Sequence, residues 1–247
     1  LGGIGFGTIT DILRQSWTKQ SLLRSWRGLR IGTKLGLVVS ATLIIVGGII
    51  FFFLDPGDQN VGVHISDSFF QSITARTAGF NTVSIGALAT PAILFLIFLM
   101  FIGGGSGSTA GGIKTSTFAL VFMSAAATIQ GKKNVNLYKT QIPWELMNRA
   151  FAIFLFSVVS ILLGVFALSI LEPSMNLLDL AFEEVSAFCT VGLSTGITAD
   201  LGTGSQMILM LSMLVGRVGT LTLAFALSGQ RQEVNTFKYP KANIHVG

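Results

Sequence analysis

The stretch FIGGGSGSTAGGIKTST, residues 101–117, brings together glycine, hydroxyl and lysine residues, which could bind a phosphate or line an ion path. A phosphate loop reads G-x-x-x-x-G-K-[ST], with the lysine placed against the phosphates. Gly107 and Gly112 have that spacing, but Ile113 separates Gly112 from Lys114 and moves the lysine out of register. The stretch also follows the apolar run PAILFLIFLM rather than a strand of a soluble domain. The pattern therefore favours a broken membrane helix over a nucleotide site.

A second pattern occurs twice and could bind a cation through main-chain oxygens. Residues 77–82 and 190–195 both read T-x-G-[FL]-[NS]-T and lie 113 residues apart. Because glycine adopts backbone angles closed to other residues, consecutive carbonyl groups can turn to one side and replace the hydration shell of an ion. A short helix ahead of each segment would direct its partially negative end to the same place. The other interpretation is a helix C-cap followed by a turn, and the duplication weighs against it.

Three basic residues lie at apparent membrane depth, where an unpaired charge costs roughly 3 kcal/mol on insertion scales. Arg217 is expected to face the ion path or an acidic partner, Glu183 or Glu184, and a purely structural ion pair is an equal alternative. Arg76, directly before the first T-x-G segment, is expected to brace its back, since a cation lining a cation path would defeat it. For Lys114, snorkelling toward the cytoplasmic interface stays open.

The composition indicates a membrane protein. Hydrophobic residues make up 51% of the 247 residues and charged residues only 11%, against about 25% charge in soluble domains. The mean hydropathy is +0.71. The net charge is +5, but basic clusters alternate with acidic segments along the chain. This distribution of charge does not indicate a protein that binds nucleic acid. By the positive-inside rule the basic loops and the C-terminus are cytoplasmic, so we expect a multi-pass protein in the lipid bilayer of the cell membrane.

Apolar runs predict the elements that position these residues. A helix needs about 20 apolar residues to cross a membrane. Three runs are long enough, at 33–54, 145–171 and 205–229. The runs 91–102 and 118–129 span roughly 18 Å each as helix, so together they predict one interrupted crossing. The polar segments 64–86 and 176–198 are too short to cross and are expected to re-enter from the outer side.

Five motifs run along nearly the whole chain: GGIGF (2–6), TARTAGFN (74–81), FIGGGSGSTAGGIKTSTF (101–118), SAFCTVGLSTG (186–196) and GRVGTLT (216–222). Together they resemble the Trk/Ktr/HKT potassium transporter family, and most closely its bacterial Ktr-type pore subunits. The resemblance implies an all-α integral membrane fold of helix–re-entrant pore helix–helix repeats, four of them around one ion path, with one broken transmembrane helix. By this comparison the chain is the C-terminal half, and two further filter strands lie outside it.

The resemblance also implies the domain boundaries. They are 1–13, the end of the last helix of the second repeat; 14–32, a basic cytoplasmic linker; 33–131, the third repeat, with an intramembrane loop at 103–114; 132–144, a cytoplasmic linker; 145–230, the fourth repeat; and 231–247, a cytoplasmic tail.

Two sets of site residues follow from the same resemblance. The residues that match the family's K⁺ selectivity filter are Thr77, Ala78, Gly79, Thr190, Val191 and Gly192. The residues that match its gating loop are Gly103, Gly104, Gly105, Ser106, Gly107, Ser108, Thr109, Gly111, Gly112 and Lys114. The filter would hold K⁺ through main-chain carbonyls. The small residues of the loop would let it move, and its hydroxyls would bond freed backbone groups.

The implied function is K⁺ uptake through a gated pore, not an enzyme reaction. The alternative is a Na⁺-coupled or Na⁺-selective secondary transporter with a midplane site at the broken helix. The implied partners are a second copy of the full-length subunit, forming a homodimer, and a cytoplasmic ring of regulatory subunits that alone binds nucleotide. No residue spacing suggests catalysis or a metal centre. His64 is expected on an outer loop, and the single cysteine, Cys189, behind the filter.

Overall fold

The computed structural model describes residues 3–14, 26, 28–55, 61–132, 135–137 and 140–219. The helices are α1 (Phe6–Arg14), α2 (Ile31–Leu54), α3 (Val61–Thr74), α4 (Thr90–Phe101), α5 (Thr115–Ile129), α6 (Trp144–Leu171), α7 (Leu177–Phe188) and α8 (Thr203–Val218). One short antiparallel hairpin, β1 (Asn136–Leu137) and β2 (Thr140–Gln141), lies between α5 and α6. The expected all-α class is confirmed.

Helices α2 and α6 have the length and composition of membrane crossings. They contain 24 and 28 residues, and the most apolar stretch of each has a mean hydropathy of 2.8. Only 17% and 22% of these stretches are buried, so neither is the core helix of a soluble domain. Large apolar side chains are exposed along both, among them Phe53, Leu162 and Phe166. Such a surface is suited to lipid tails rather than water.

One crossing is interrupted in its middle. Helix α4 begins with Pro91 in its first turn and ends at Phe101, and α5 begins at Thr115, three residues earlier than its apolar run predicts. The intervening residues bring Ile102 beside Ile113 in a parallel bridge, with the N–H of Gly103 donating to the oxygen of Ile113 at 2.8 Å. Thr115, the first residue of α5, is completely buried, and its N–H donates to the oxygen of Gly104 at 3.0 Å.

The helices repeat at the same spacing as the T-x-G segments. Ile31 and Trp144, the first residues of α2 and α6, are 113 positions apart, and so are Thr90 and Thr203, the first residues of α4 and α8. The short helices α3 and α7 pack against α2 and α6, respectively. The described part of the last crossing ends at 219, so residues 220–229 of the predicted span lie outside it, as does the tail at 231–247.

Two re-entrant helices occupy the segments predicted from polarity. Helix α7 begins where the side chain of Asn176 accepts a bond from the N–H of Leu178 at 3.0 Å, which caps its N-terminus. Helix α3 includes His64, for which an outer loop was the wrong prediction. That side chain is 8% exposed, and its Nε2 lies 3.0 Å from the oxygen of Phe52. A loop residue would not bury an imidazole, whereas a helix packed on α2 does so readily.

A carboxylate connects the C-terminal end of α6 to the N-terminal end of α8. Glu172 follows the last residue of α6, and its Oε1 accepts bonds from the N–H of Gly202 and the hydroxyl of Ser205, both at 2.8 Å. These donors favour the charged form and hold the pKa of Glu172 below its usual value. The start of α8 is thereby fixed beside the end of α6.

Candidate functional site

The two T-x-G segments adopt the same unusual backbone. Thr77 and Thr190 have positive φ angles of 66° and 50°, and they are the non-glycine residues with positive φ in the described part of the chain. Gly79 and Gly192 follow with φ of 77° and 91°. A left-handed β-branched residue is costly and persists only where its surroundings enforce it. The shared conformation therefore indicates that both segments have a specific, enforced backbone structure and are not ordinary helix ends.

A hydroxyl in the last turns of each re-entrant helix holds the segment that follows. The Oγ1 of Thr74 accepts a bond from the N–H of Phe80 at 2.9 Å and donates to the oxygen of the same residue. In the other repeat the hydroxyl of Ser186 donates to the oxygen of Leu193 at 2.5 Å. Phe80 and Leu193 each come directly after the glycine of T-x-G. Each short segment is thus closed onto its own helix.

The structure brings the two segments together at their glycines. A Cβ atom added to Gly79 would lie 2.5 Å from the oxygen of Val191, and one added to Gly192 would lie 3.5 Å from the Cα of Gly79. Val191 is buried and Ala78 exposed, so the surroundings of the two middle residues differ. A side chain at Gly79 would therefore clash with the facing backbone, whereas at Gly192 the positive φ favours glycine. Residues that are far apart in the chain therefore face one another at the ends of α3 and α7.

The glycine-rich stretch is held mainly through its backbone. The N–H of Gly105 donates to the oxygen of Gly3 at 2.7 Å, and the N–H of Phe6 donates to the oxygen of Gly107 at 3.1 Å. A Cβ on Gly105 would meet the oxygen of Ile4 at 2.5 Å. The described N-terminal residues therefore lie directly against the first half of the loop.

The second half of the loop packs against the start of the T-x-G segment of the later repeat. A Cβ on Gly111 would lie 2.6 Å from the oxygen of Cys189 and would overlap the hydroxyl of Thr190. A Cβ on Gly112 would lie 3.0 Å from the Sγ of Cys189, and Gly112 itself has a φ of 64°. Cys189 is completely buried, as expected for a residue behind this segment.

The basic residues at membrane depth all bind main-chain oxygens of this stretch. Arg217 donates to the oxygen of Thr109, and Lys114 donates to the oxygen of Ala110. Arg76 donates to the oxygen of Gly103 at 3.0 Å, and also to the oxygen and the hydroxyl of Ser40, both at 3.1 Å. Loop carbonyls released from helical bonding thus accept from the three cations.

The expected pairing of Arg217 with Glu183 or Glu184 is wrong in this structure. The carboxylate of Glu183 accepts bonds from residues 194–198, and Oε1 of Glu184 accepts the hydroxyl of Ser212 at 2.6 Å. Arg217 instead reaches the loop, because Gly216 brings α8 so close to the end of α7 that a Cβ there would overlap the oxygen of Phe188. Lys114, for which snorkelling was the alternative, bonds within the loop through its amino group.

Sequence reasoning missed Gln71, the counterpart of Glu184, and Gly164. Gln71 and Glu184 are 113 positions apart, and both are completely buried on the re-entrant helices. The offset between the T-x-G segments could have identified this pair. Gly164, whose missing side chain makes room for Glu184, carries no local signal, because glycine also occurs in transmembrane helices for packing reasons.

Comparison with known proteins agrees with this arrangement. A family model described as TrkH, cation transport protein, matches residues 30–236. The chain belongs to the TrkH family. TrkH proteins are cation transporters rather than enzymes, which bears out the expected class and the resemblance drawn from the motifs.

Several curated relatives match the entire chain. It is 38% identical to the Ktr system potassium uptake protein B of Vibrio alginolyticus, 35% identical to the protein of that name in Bacillus subtilis, and 33% identical to the potassium/sodium uptake protein NtpJ of Enterococcus hirae. These alignments cover 100% of the chain and 53%, 54% and 55% of the relatives, so the chain spans about half of their length.

The fold matches a solved structure in the TrkH family. The crystal structure of the potassium transporter TrkH from Vibrio parahaemolyticus superposes with a TM-score of 0.70 and 18% sequence identity, covering 91% of this chain and 50% of that one. At that identity the likeness establishes the fold and not the chemistry. Helix–re-entrant helix–helix repeats with a broken crossing are therefore the architecture of this membrane protein.

Proposed function

We propose that this chain forms half of a pore for K⁺ uptake, with residues 77–79 and 190–192 as two of its selectivity-filter strands. The observation that carries the proposal is the meeting of the two segments at Gly79 and Gly192, each in the same left-handed backbone. Carbonyl oxygens presented in this way can replace the water around a K⁺ ion. The names of the potassium uptake relatives support K⁺ as the transported ion.

The glycine-rich stretch at 103–114 is the gate in this proposal. It lies against Cys189 and Thr190, where the chain leaves α7 and the later filter strand begins. Its backbone forms no helix: Gly103 bonds to Ile113 within the loop, and Gly105 bonds to Gly3, so rearrangement does not require a helix to unfold. Lys114 and Arg217 add positive charge close to the path, which opposes cation passage while the loop stays in place.

A Na⁺-coupled or Na⁺-selective secondary transporter is the second candidate. The interrupted crossing between α4 and α5 is a feature of such transporters, and one relative is named a potassium/sodium uptake protein. In that mechanism the ions would bind at the break itself. Strictly coupled, slow and saturable flux would favour it, whereas fast passive flux would favour the pore.

Orientation and partners complete the proposal. Basic loops and the C-terminus would face the cytoplasm, following the positive-inside rule. The full-length subunit would form a homodimer and bind a cytoplasmic regulatory ring that carries the nucleotide. Relatives named as parts of a Ktr system support the idea of a multi-component assembly.

The test is K⁺-dependent growth of an uptake-deficient host that expresses the full-length protein. We expect Gly79→Ser and Gly192→Ser to abolish growth at low K⁺ or to lower the K⁺/Na⁺ uptake ratio about tenfold or more. A Cβ on Gly79 would lie 2.5 Å from the oxygen of Val191, and a side chain at Gly192 would be strained by its φ of 91°, so either change would shift the carbonyls. Gly131→Ser is the matched control, since Gly131 also has a positive φ of 66° but has open space around it. Unchanged uptake and unchanged ion preference in both filter variants would disprove the filter assignment.

A further inference from the structure

Glu183 makes an unusual set of bonds beside the later filter strand. It lies on α7 and is 5% exposed. Its Oε1 accepts the hydroxyl of Ser194 at 2.5 Å and the N–H of Thr195 at 3.0 Å, and its Oε2 accepts the hydroxyl of Thr198 at 2.8 Å. The Ser194 hydroxyl also lies 2.8 Å from that of Thr198. A single carboxylate thus binds three residues of the segment that follows Gly192.

This cluster continues the bond made by Ser186. Leu193, whose oxygen accepts the Ser186 hydroxyl, is 4% exposed, and the residues bound by Glu183 begin at the next position. The backbone leaving the filter is therefore tied to α7 by two side chains in succession, Ser186 and then Glu183. Displacing it would break several bonds together, one of them to a main-chain N–H.

The earlier repeat has no carboxylate at the matching place. Phe70 lies 113 positions before Glu183 and is 37% exposed. Asn81, which matches Ser194, bonds locally to the oxygen of Val83 at 3.2 Å. Phe80 is 71% exposed, whereas the matching Leu193 is 4% exposed. The two filter strands share their backbone angles but leave the filter in different surroundings.

A buried carboxylate needs a reason, because removing it from water is costly unless donors compensate. A helix that only needed packing could carry an apolar residue there, as the earlier repeat does with Phe70. The donors to Glu183 all come from residues 194–198, on the chain that leaves the filter. The contacts therefore select the position of that segment rather than simply filling space.

We propose that Glu183 is a positioning residue that clamps the chain beyond Gly192, so that the carbonyls of 190–192 keep the spacing needed to prefer K⁺ over Na⁺. The fourth-repeat strand is the fixed side of the filter, and the third-repeat strand is the adaptable side. The inference rests on the proposed filter function and assigns Glu183 a role that is independent of Arg217. The carboxylate acts through residues 194–198 and does not touch the ion.

The test measures the K⁺/Na⁺ uptake ratio of the full-length protein with Glu183→Ala, Glu183→Gln and the double variant Ser194→Ala/Thr198→Val. We expect the ratio to fall about fivefold in Glu183→Ala and by less in Glu183→Gln, whose amide still accepts some of the bonds. The double variant removes two donors and keeps the charge, so it should reproduce most of the Glu183→Ala loss. Phe70→Leu, at the matching place in the other repeat, should leave the ratio unchanged.

Each outcome separates the clamp from competing explanations. Equal losses in Glu183→Gln and Glu183→Ala, with no loss in the double variant, would mean that charge alone matters and would overturn the clamp. Gly192→Ser is measured in the same assay: if it changes the ratio and neither the Glu183 variants nor the double variant does, the clamp fails while the filter stands. If neither Gly192→Ser nor Gly79→Ser has any effect, the proposed function fails. Should Glu183→Ala not fold, the double variant, with donors only partly buried, decides the question.

Discussion

The proposed filter segments and the glycine-rich loop are both irregular backbone between helices, but they are held in different ways. Residues 77–79 and 190–192 are closed by hydroxyls no more than seven residues away from the carbonyls that they bind. The loop at 103–114 is bound by residues from distant parts of the chain, including Gly3, Arg76 and Arg217. One structure depends on its own helix, and the other depends on how several elements are arranged.

This difference indicates which part can move. A segment closed by local bonds keeps its shape when neighbouring helices shift, which suits carbonyls that must match the size of an ion. A loop bound by α8, by Arg76 after the end of α3 and by the N-terminal residues changes whenever any of them moves relative to the others. A relative shift of packed helices is also the kind of motion by which proteins switch.

Removing most of the loop should have the largest effect. Deleting 103–112 from the full-length protein removes the backbone that lies against Cys189 and Thr190. We expect ion flux in proteoliposomes to rise about tenfold, which corresponds to a barrier lower by about 1.4 kcal/mol. The K⁺/Na⁺ ratio should stay unchanged, because the hydroxyls of Thr74 and Ser186 remain. Flux that falls or stays constant in a properly folded deletion would contradict the role of the loop as a gate.

The sequence predicted the positions of both regions but not how they are held. The two T-x-G segments could be found because a duplicated pattern at a constant offset is visible in one dimension. The break could be found because two apolar runs of helical half-length flank the glycines. The bond from Arg217 to Thr109 could not, since it spans 108 positions and depends on how closely α8 approaches α7 at Gly216.

The partners of the buried glutamates were misassigned for a similar reason. Opposite charge made Arg217 the obvious partner for Glu183, but neutral donors close in sequence and held on the same re-entrant segment satisfied that carboxylate first. Loop carbonyls, which every residue carries and no sequence pattern marks, then became the acceptors for the arginine. Charge pairing is therefore a poor guide where irregular backbone offers many unpaired oxygens.

Pushing the loop away from the filter should have the next largest effect. In Gly111→Ala the added methyl would meet the oxygen of Cys189 and the hydroxyl of Thr190, so the loop must shift. We expect flux to rise about three- to fivefold, which corresponds to about 0.7–1 kcal/mol in the barrier. Gly107→Ala is the control: Gly107 belongs to the same loop and has no atom within 4 Å of the added position, but its φ is 71°, so its variant reports backbone strain without contact. Gly111 has no positive φ, so equal effects of the two variants would point to a general disturbance of the loop rather than contact with the filter.

Loosening one distant attachment should have a moderate effect. Arg76 bridges Ser40 on α2 and the oxygen of Gly103 with two nitrogens of its guanidinium group. Lysine in Arg76→Lys keeps the charge but cannot reproduce the fork. We expect flux to rise about twofold and the Tm of the purified protein to fall by a few degrees. Ser40→Ala removes only one of the three bonds and should show a smaller change of the same sign. If Arg76→Lys altered ion preference and left flux constant, the arginine would serve the filter instead of the loop.

The smallest expected effects separate the two filter strands from each other. Thr74→Val and Ser186→Ala each remove the hydroxyl that holds the carbonyl after the filter glycine. If Glu183 holds the later strand as proposed, the loss of Ser186 is partly compensated, whereas Thr74 has no such support from Phe70. We therefore expect the K⁺/Na⁺ ratio to fall about threefold in Thr74→Val and by less than twofold in Ser186→Ala, with little change in total flux in either. The order should reverse or disappear in a Glu183→Ala background, because the later strand then depends on Ser186 as the earlier one does on Thr74. An unchanged order in that background would show that Glu183 does not supply the compensation and would contradict the clamp.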